Sequence, residues 1–152
     1  GLMNSLRPAG LDAFGLARSL QQGSIREMVE ASGMAYHLRI DNDDGLLERL
    51  DNDTQTAIYR IVQEAATNAV RHAEARHLVV SMRARPSTAG TQIALCIADD
   101  GRGIDADSPR LRAGGLGLQG IRDRVLLLGG RLRIRSDAGG TRLVVVFRAP
   151  TR

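Results

Sequence analysis

A length of 152 residues suits one domain with a single core, and 43% hydrophobic with 25% charged residues fits a globular rather than a disordered chain. The net charge of +4 comes from arginines spread among acids, with only four aromatic residues and no basic run, so no nucleic-acid partner is expected. No stretch nears the roughly 20 apolar residues of a membrane-spanning helix, no signal-peptide order opens the chain, and the lone Cys96 in an apolar run excludes an internal disulfide or a cysteine zinc site, so the expected location is cytoplasmic.

Residues 8 to 31 predict a helix interrupted near Gly23, or two short ones, with Leu11, Leu16, Leu20, Ile25 and Val29 among the apolar positions. A strand follows over 36 to 40, then a polar stretch to 53 that holds Leu46, Leu47 and Leu50 and reads as a loop with a helical turn. The strongest helix is predicted over 54 to 73, with Asn52 and Gln55 as its N-cap signature and Ile58, Ile61, Val62, Ala65 and Ala69 as its apolar stripe. Strands over 77 to 83 and 91 to 98 flank a turn-prone segment from Arg85 to Gly90 and predict a hairpin. After a glycine-rich segment, a helix over 118 to 128 stops at Gly129 and Gly130, and strands over 131 to 136 and 142 to 147 predict a second hairpin. About five strands and three helices fit an α+β two-layer sandwich, a mixed sheet with the helices on one face.

Four patterns carry chemistry. Glu64, Asn68 and Arg71 fall at i, i+4 and i+7 of the long helix, and an asparagine carbonyl beside a carboxylate offers hard oxygens to Mg²⁺. Asp99-Asp100-Gly101-Arg102-Gly103-Ile104 ends an apolar strand, where a carboxylate can accept from an exocyclic amine while glycines let a flat ring approach. Gly114-Gly115-Leu116-Gly117-Leu118-Gln119-Gly120 opens a helix, whose free N–H groups attract phosphate. Gly139-Gly140-Thr141 turns into the last strand. Singly, each has an ordinary reading as a solvated helix face, a polar turn, a flexible loop or a tight hairpin. The chain has no lysine, so neither the P-loop nor the eukaryotic-type kinase way of holding ATP applies.

Taken in order and spacing, the four resemble the Bergerat ATP-binding fold of gyrase, heat-shock chaperone ATPases, mismatch-repair ATPases and histidine kinases. The segment Ile61-Val62-Gln63-Glu64-Ala65-Ala66-Thr67-Asn68-Ala69-Val70-Arg71-His72-Ala73 is most similar to the N box of histidine kinases of the nitrate-sensor and desaturase-sensor group. Leu6-Arg7-Pro8, Leu11-Asp12 and Gly15-Leu16 resemble the leader after that group's dimerisation helices. The resemblance thus divides the chain into a leader with first helix, 1–32, and a catalytic core, 33–150.

The resemblance implies ATP and Mg²⁺ as cofactors, with Glu64 and Asn68 as catalytic and metal-binding residues. Arg71 and His72 would face the phosphates, and Asp99 would hold the adenine amine with Gly101, Gly103 and Ile104 beside it. Gly115, Leu116, Gly117 and Leu118 would wrap the triphosphate, Thr141 would support the adenine end, and residues 105 to 113 would form a short lid in which Ala113 replaces a frequent glycine. Implied partners are the parent's own dimerisation and phosphoacceptor domain and a cognate response regulator, with a monomeric fragment cut from a homodimeric parent that an inner membrane could anchor. No acidic residue follows His37, His72 or His77, so the phosphoacceptor lies elsewhere. Alternatives are a gyrase-type ATPase, an anti-sigma-factor serine kinase and a nucleotide-holding regulatory module. Arg102-Gly103-Ile104-Asp105 also matches an RxxD pattern of cyclic-dinucleotide sites.

Overall fold

The computed structural model describes residues 8–88, 90–102 and 118–150. Strands β1 (Ala35–Asn42), β2 (His77–Ser87), β3 (Gly90–Asp99), β4 (Arg131–Asp137) and β5 (Gly140–Ala149) form one sheet in the order β1-β2-β3-β5-β4. Only β1 and β2 run parallel. Helix α3 (Asn52–Asn68) lies between them in sequence, the long crossover that a parallel pair requires, whereas β2-β3 and β4-β5 are hairpins.

Side chains alternate across the strands, and one face of each is apolar. Leu78, Val80, Met82 and Ala84 of β2 and Ile93, Leu95 and Ile97 of β3 are buried, with Leu143, Val145 and Phe147 continuing the face on β5. The helices α1 (Ala9–Gln22), α2 (Ser24–Ala31), α3 and α4 (Leu118–Leu127) supply the other half of the core, with Leu11, Leu16, Leu20, Ile25, Val29, Ile121 and Val125 buried in it. This is the expected α+β sandwich with a mixed five-stranded sheet. The first two helices are the interrupted helix of the sequence, broken at Gly23, and α1 has a second break at Gly15, where φ is +79°.

Several local features differ from the sequence expectation. The N-cap of α3 is Asp51, one residue before Asn52: its Oδ1 accepts from the Thr54 N–H at 2.7 Å. Gln55 turns inward, and its buried amide donates to the Leu50 carbonyl at 2.8 Å. The expected stripe of Ile58, Ile61, Val62, Ala65 and Ala69 is buried throughout, but the α-helix ends at Asn68 and continues as a π-turn over Ala69–Ala73. The helical turn expected in the polar stretch is present as a 3₁₀ helix, Asp43–Arg49, and the patch of Leu46, Leu47 and Leu50 is buried.

The first hairpin is tighter than predicted, since β2 extends through Pro86 to Ser87 and pairs Ser87 with Gly90. Proline is tolerated there because β1 stops pairing at Ala84, leaving β2 a free edge that needs no N–H.

Candidate functional site

The polar side of α3 turns toward α4. Glu64 Oε1 accepts from Arg124 Nη1 at 2.6 Å, across 60 residues of sequence. The pair is partly buried, so it is stronger than an exposed ion pair but carries a desolvation cost. Burial pushes the Glu64 carboxyl above its ordinary range, against the pull of Arg124 and Arg60. Its second oxygen, Oε2, and the amide Nδ2 of Asn68 are buried and have no hydrogen-bond partner among the described residues. Buried polar atoms in native proteins are usually bonded, so two orphans on one helix face call for a ligand or ordered water.

These two side chains, with Thr67, Arg71, His72 and Gly120, line a hollow of about 370 Å³. Gly120 is there for room: a β-carbon at this position would sit 2.5 Å from Glu64 Oε2 and 3.1 Å from Arg124 Nη1. The π-turn carries Arg71 and His72, and Glu74 closes it in the left-handed conformation with φ of +52°. A π-turn adds a residue per turn, so Arg71 does not keep the strict i+7 phase of an α-helix. It lines the hollow all the same.

Asp99 lies at the end of β3 on the covered face, in phase with Leu95 and Ile97. Its Oδ1 accepts from the Gly101 N–H at 2.9 Å. Burial raises its carboxyl above the ordinary range, while the N–H groups of Gly101 and Thr141 draw it back down. Thr141 faces Asp99 across the β3-β5 ladder, is buried, and shares a hydrogen bond of 2.9 Å with Ser136. Gly140, with φ of +135°, allows this approach, because a β-carbon there would overlap the Asp99 carbonyl. Asp99, Gly140 and Thr141 line a second hollow of about 310 Å³ at the end of the sheet, which Arg135, Asp137 and Arg142 from the opposite face also border.

Adjacent Asp100 has a different task. Its Oδ1 accepts from the Arg76 and His77 N–H groups at 2.8 and 2.9 Å, tying β3 to the start of β2, and these bonds hold its carboxyl below the usual range. Arg102 then donates to the His72 carbonyl at 2.9 Å and lies 3.7 Å from Glu74. The strand end of Asp99 is thereby fastened to the π-turn of α3.

The described residues therefore divide the expected site between two hollows, one with Glu64, Asn68, Arg71 and His72 and one with Asp99 and Thr141. Leu118 is buried in the core at the start of α4. Gly103, Ile104, Gly115, Leu116 and Gly117, the residues 105 to 113 and the aspartate of the RxxD pattern lie outside the described residues. Sequence reasoning missed Arg124, and it placed Gly120 in the glycine-rich helix start without its relation to Glu64. Their spacing of four on one helix was visible, but nothing local ties them to Glu64.

A family model described as histidine kinase-, DNA gyrase B- and HSP90-like ATPase matches residues 53–152, about two thirds of the chain. The chain belongs to this ATPase family. Among its relatives is the sensor histidine kinase ComP of Bacillus subtilis (strain 168), 32% identical over 136 residues that make up 90% of this chain and 17% of ComP. The histidine kinase domain of the Erythrobacter litoralis EL346 blue-light activated histidine kinase superposes with a TM-score of 0.68 at 26% identity, over 89% of this chain and 59% of that one. Full-length ShkA in complex with AMPPNP shares the fold, with a TM-score of 0.65 at 18% identity, over 91% of this chain and 30% of ShkA. The chain thus spans about a sixth of ComP's length. The matched region of this ATPase-family chain contains both hollows.

Proposed function

We propose that the chain is the ATP-binding catalytic domain of a two-component sensor histidine kinase of the nitrate-sensor and desaturase-sensor group, which passes the ATP γ-phosphate to a histidine outside the chain. The observation that carries this reading is the pair of orphaned atoms on α3, Glu64 Oε2 and Asn68 Nδ2, facing a hollow that also contains Arg71 and His72. The N-box and leader resemblances support the subgroup, and the similarity to ComP and to the Erythrobacter kinase domain supports the kinase reading.

The donor set suits Mg²⁺. Among the described residues no three His, Cys, Asp or Glu side chains gather, and a metal that keeps waters and shares phosphate oxygens needs only one or two protein oxygens. The Asn68 amide presents an oxygen if its two ends are exchanged, since their assignment follows from bonding partners and Nδ2 has none. Glu64 and Asn68 would hold the ion, which supplies charge neutralisation to the phosphates. Arg71 and His72 would steady the phosphate oxygens, and Gly115, Leu116, Gly117 and Leu118 would present backbone N–H groups to them. Asp99 would accept from the adenine amine, with Gly101, Gly103, Ile104 and Thr141 around the ring. The bond from phosphorus to the bridging oxygen breaks as the bond to the imidazole nitrogen forms, and ADP leaves. The protein's contribution is chiefly position and electrostatics.

In this reading residues 1–32 follow the dimerisation segment and 33–150 form the catalytic core, in a cytoplasmic portion of a homodimeric parent that serves a response regulator. A cyclic dinucleotide at the RxxD pattern is a further regulatory ligand to assay. Asp99→Ala is expected to abolish adenine-nucleotide binding in calorimetric titration, and Asn68→Ala to remove its magnesium dependence; retained affinity in Asp99→Ala contradicts the site. Radiolabelled transfer to a histidine-bearing helical segment from the parent tests the kinase step. Rapid phosphate release without any acceptor would favour a gyrase-type ATPase instead.

A further inference from the structure

The sheet face opposite the helices is bare of other elements among the described residues, and the strand register gathers on it arginines that are scattered in sequence. Arg39 of β1 and Arg83 and Arg85 of β2 form one rank. Arg142 and Arg148 of β5 with Arg131, Arg133 and Arg135 of β4 form the other. All eight are exposed. The face carries two aspartates, Asp41 and Asp137, so its net charge is +6 in a chain of net +4, and the remainder of the molecule is net −2. Asp41 lies 3.6 Å from Arg83 and 3.9 Å from Arg85, whereas no ion pair among the described residues engages the second rank.

Between the ranks the floor is made of small side chains, Val79 and Ser81 of β2, Ala94, Cys96 and Ala98 of β3, and Val144 of β5, each partly exposed. A trough of about 510 Å³ opens on it, walled by Arg39, Arg83 and Asp41 of the first rank and floored by Ser81, Ala94, Cys96 and Val144, with the second rank beyond its far side. Three strands make a floor about 10 Å wide, since neighbours lie ~4.8 Å apart. An α-helix with its side chains is about 10–12 Å across. The shape and charge therefore match a helix laid along β3, with larger apolar residues against the small floor and carboxylates on both flanks meeting the guanidinium forks.

We propose that this face is a docking surface for an amphipathic helix of a partner protein, one with acidic residues on both sides of its apolar stripe. A membrane fits less well: of the large exposed hydrophobic residues described, only Val146 is on this face, and the floor is recessed below the arginines. Nucleic acid fits less well too, because Tyr36 and Phe147 point into the core and the rings this face does present, the exposed imidazoles of His37 and His77, are stacked on each other with centroids 5.3 Å apart.

The test uses the 152-residue chain and its own reporter, since Cys96 is the only cysteine and lies in the floor. The probe is a synthetic stapled helix of about 20 residues, ~30 Å long, with leucines on one stripe and glutamates on both flanks. Saturating peptide is expected to slow maleimide modification of Cys96 at least tenfold, and a lysine-flanked version to leave the rate unchanged. Arg83→Glu with Arg133→Glu, one from each rank, should weaken protection at least tenfold while nucleotide titration stays as in the parent chain. Amide NMR shifts at Ala94, Val144 and Val146 provide a second reading of the same contact. Equal protection by both peptides, protection that survives the double substitution, or no protection at all overturns the proposal. So does stronger protection by phosphatidylglycerol vesicles or duplex DNA than by the acidic peptide, which would assign the face to lipid or nucleic acid.

Discussion

The two faces of the sheet are built from the same strands, one residue out of phase, and they obey different physics. On the covered face Ile93, Leu95 and Ile97 are removed from water and lead directly to Asp99. On the open face Ala94, Cys96 and Ala98 stay partly wet between ranks of arginine. A single step along the chain thus separates Asp99, in phase with the core, from Asp100, which secures the start of β2. Burial raises the carboxyl of Asp99, whereas backbone N–H groups lower that of Asp100. Asp99 shares a face with the core, where a carboxylate is partly withdrawn from water without being sealed from it. The open face can hold a concentration of like charge that no core would tolerate.

The sharpest way to break this contrast is to truncate one residue on each face. Leu95→Ala, fully buried, should cost about 2–5 kcal/mol in urea unfolding, while Val146→Ala, 37% exposed, should cost less than about 1 kcal/mol. Equal losses would mean that the open face is also core. The adjacent aspartates sharpen it further through pH. A folded value raised above the unfolded one, as for Asp99, gives stability below the unfolded value that is lost as pH rises through the folded value. A lowered one, as for Asp100, gives stability above the unfolded value that is lost as pH falls through the folded value. Near neutral pH, Asp99→Asn should therefore stabilise the fold and Asp100→Asn destabilise it. The first difference should fade once pH drops below the ordinary carboxylate value of about 3.9, the second only at lower pH as Asp100 itself takes up a proton, and unfolding curves across pH would read the opposed signs.

Gly120→Ala separates stability from function on the covered side. Its helix-propensity gain of about 1 kcal/mol should offset the crowding of Glu64, leaving thermal unfolding nearly unchanged, while calorimetry records about a tenfold loss of magnesium-dependent nucleotide affinity. The smallest effect is expected on the open face. Arg133→Glu should move stability by no more than about 0.5 kcal/mol, toward greater stability at low ionic strength because it relieves repulsion, and the gain should vanish in 0.15 M salt, where screening acts over ~8 Å. Destabilisation instead would show that the arginine ranks are held in place by structure.

Much of the fold was legible because alternation and helical period are written in neighbouring residues. The five strands, the α3 stripe from Ile58 to Ala69 and the halt at Gly129, where φ is +69°, all follow from such local patterns. The misses have local causes as well. Asp51 and Asn52 are both good caps, and which one serves depends on where the buried Gln55 must point to satisfy its amide. Pro86 reads as a turn residue until it is seen that β2 outlasts its partner β1. The π-turn at Ala69–Ala73 has no signature in a sequence that suits a continued α-helix.

By itself the sequence determined the alternation of the strands, the polar stripe of Glu64 and Asn68, and the lysine-free set of groups with which the chain could hold a phosphate. Only the tertiary structure decided that Arg124 takes one oxygen of Glu64 and leaves the other, and that Gly120 clears the space beside it. It also overturned the impression of dispersed arginines, because Arg39, Arg83 and Arg133 become members of one surface through strand pairing alone. The physical reason is common to both cases. Periodicity acts between residues a few positions apart, whereas register joins residues that the chain keeps tens of positions apart, and charge and cavity shape depend on the second.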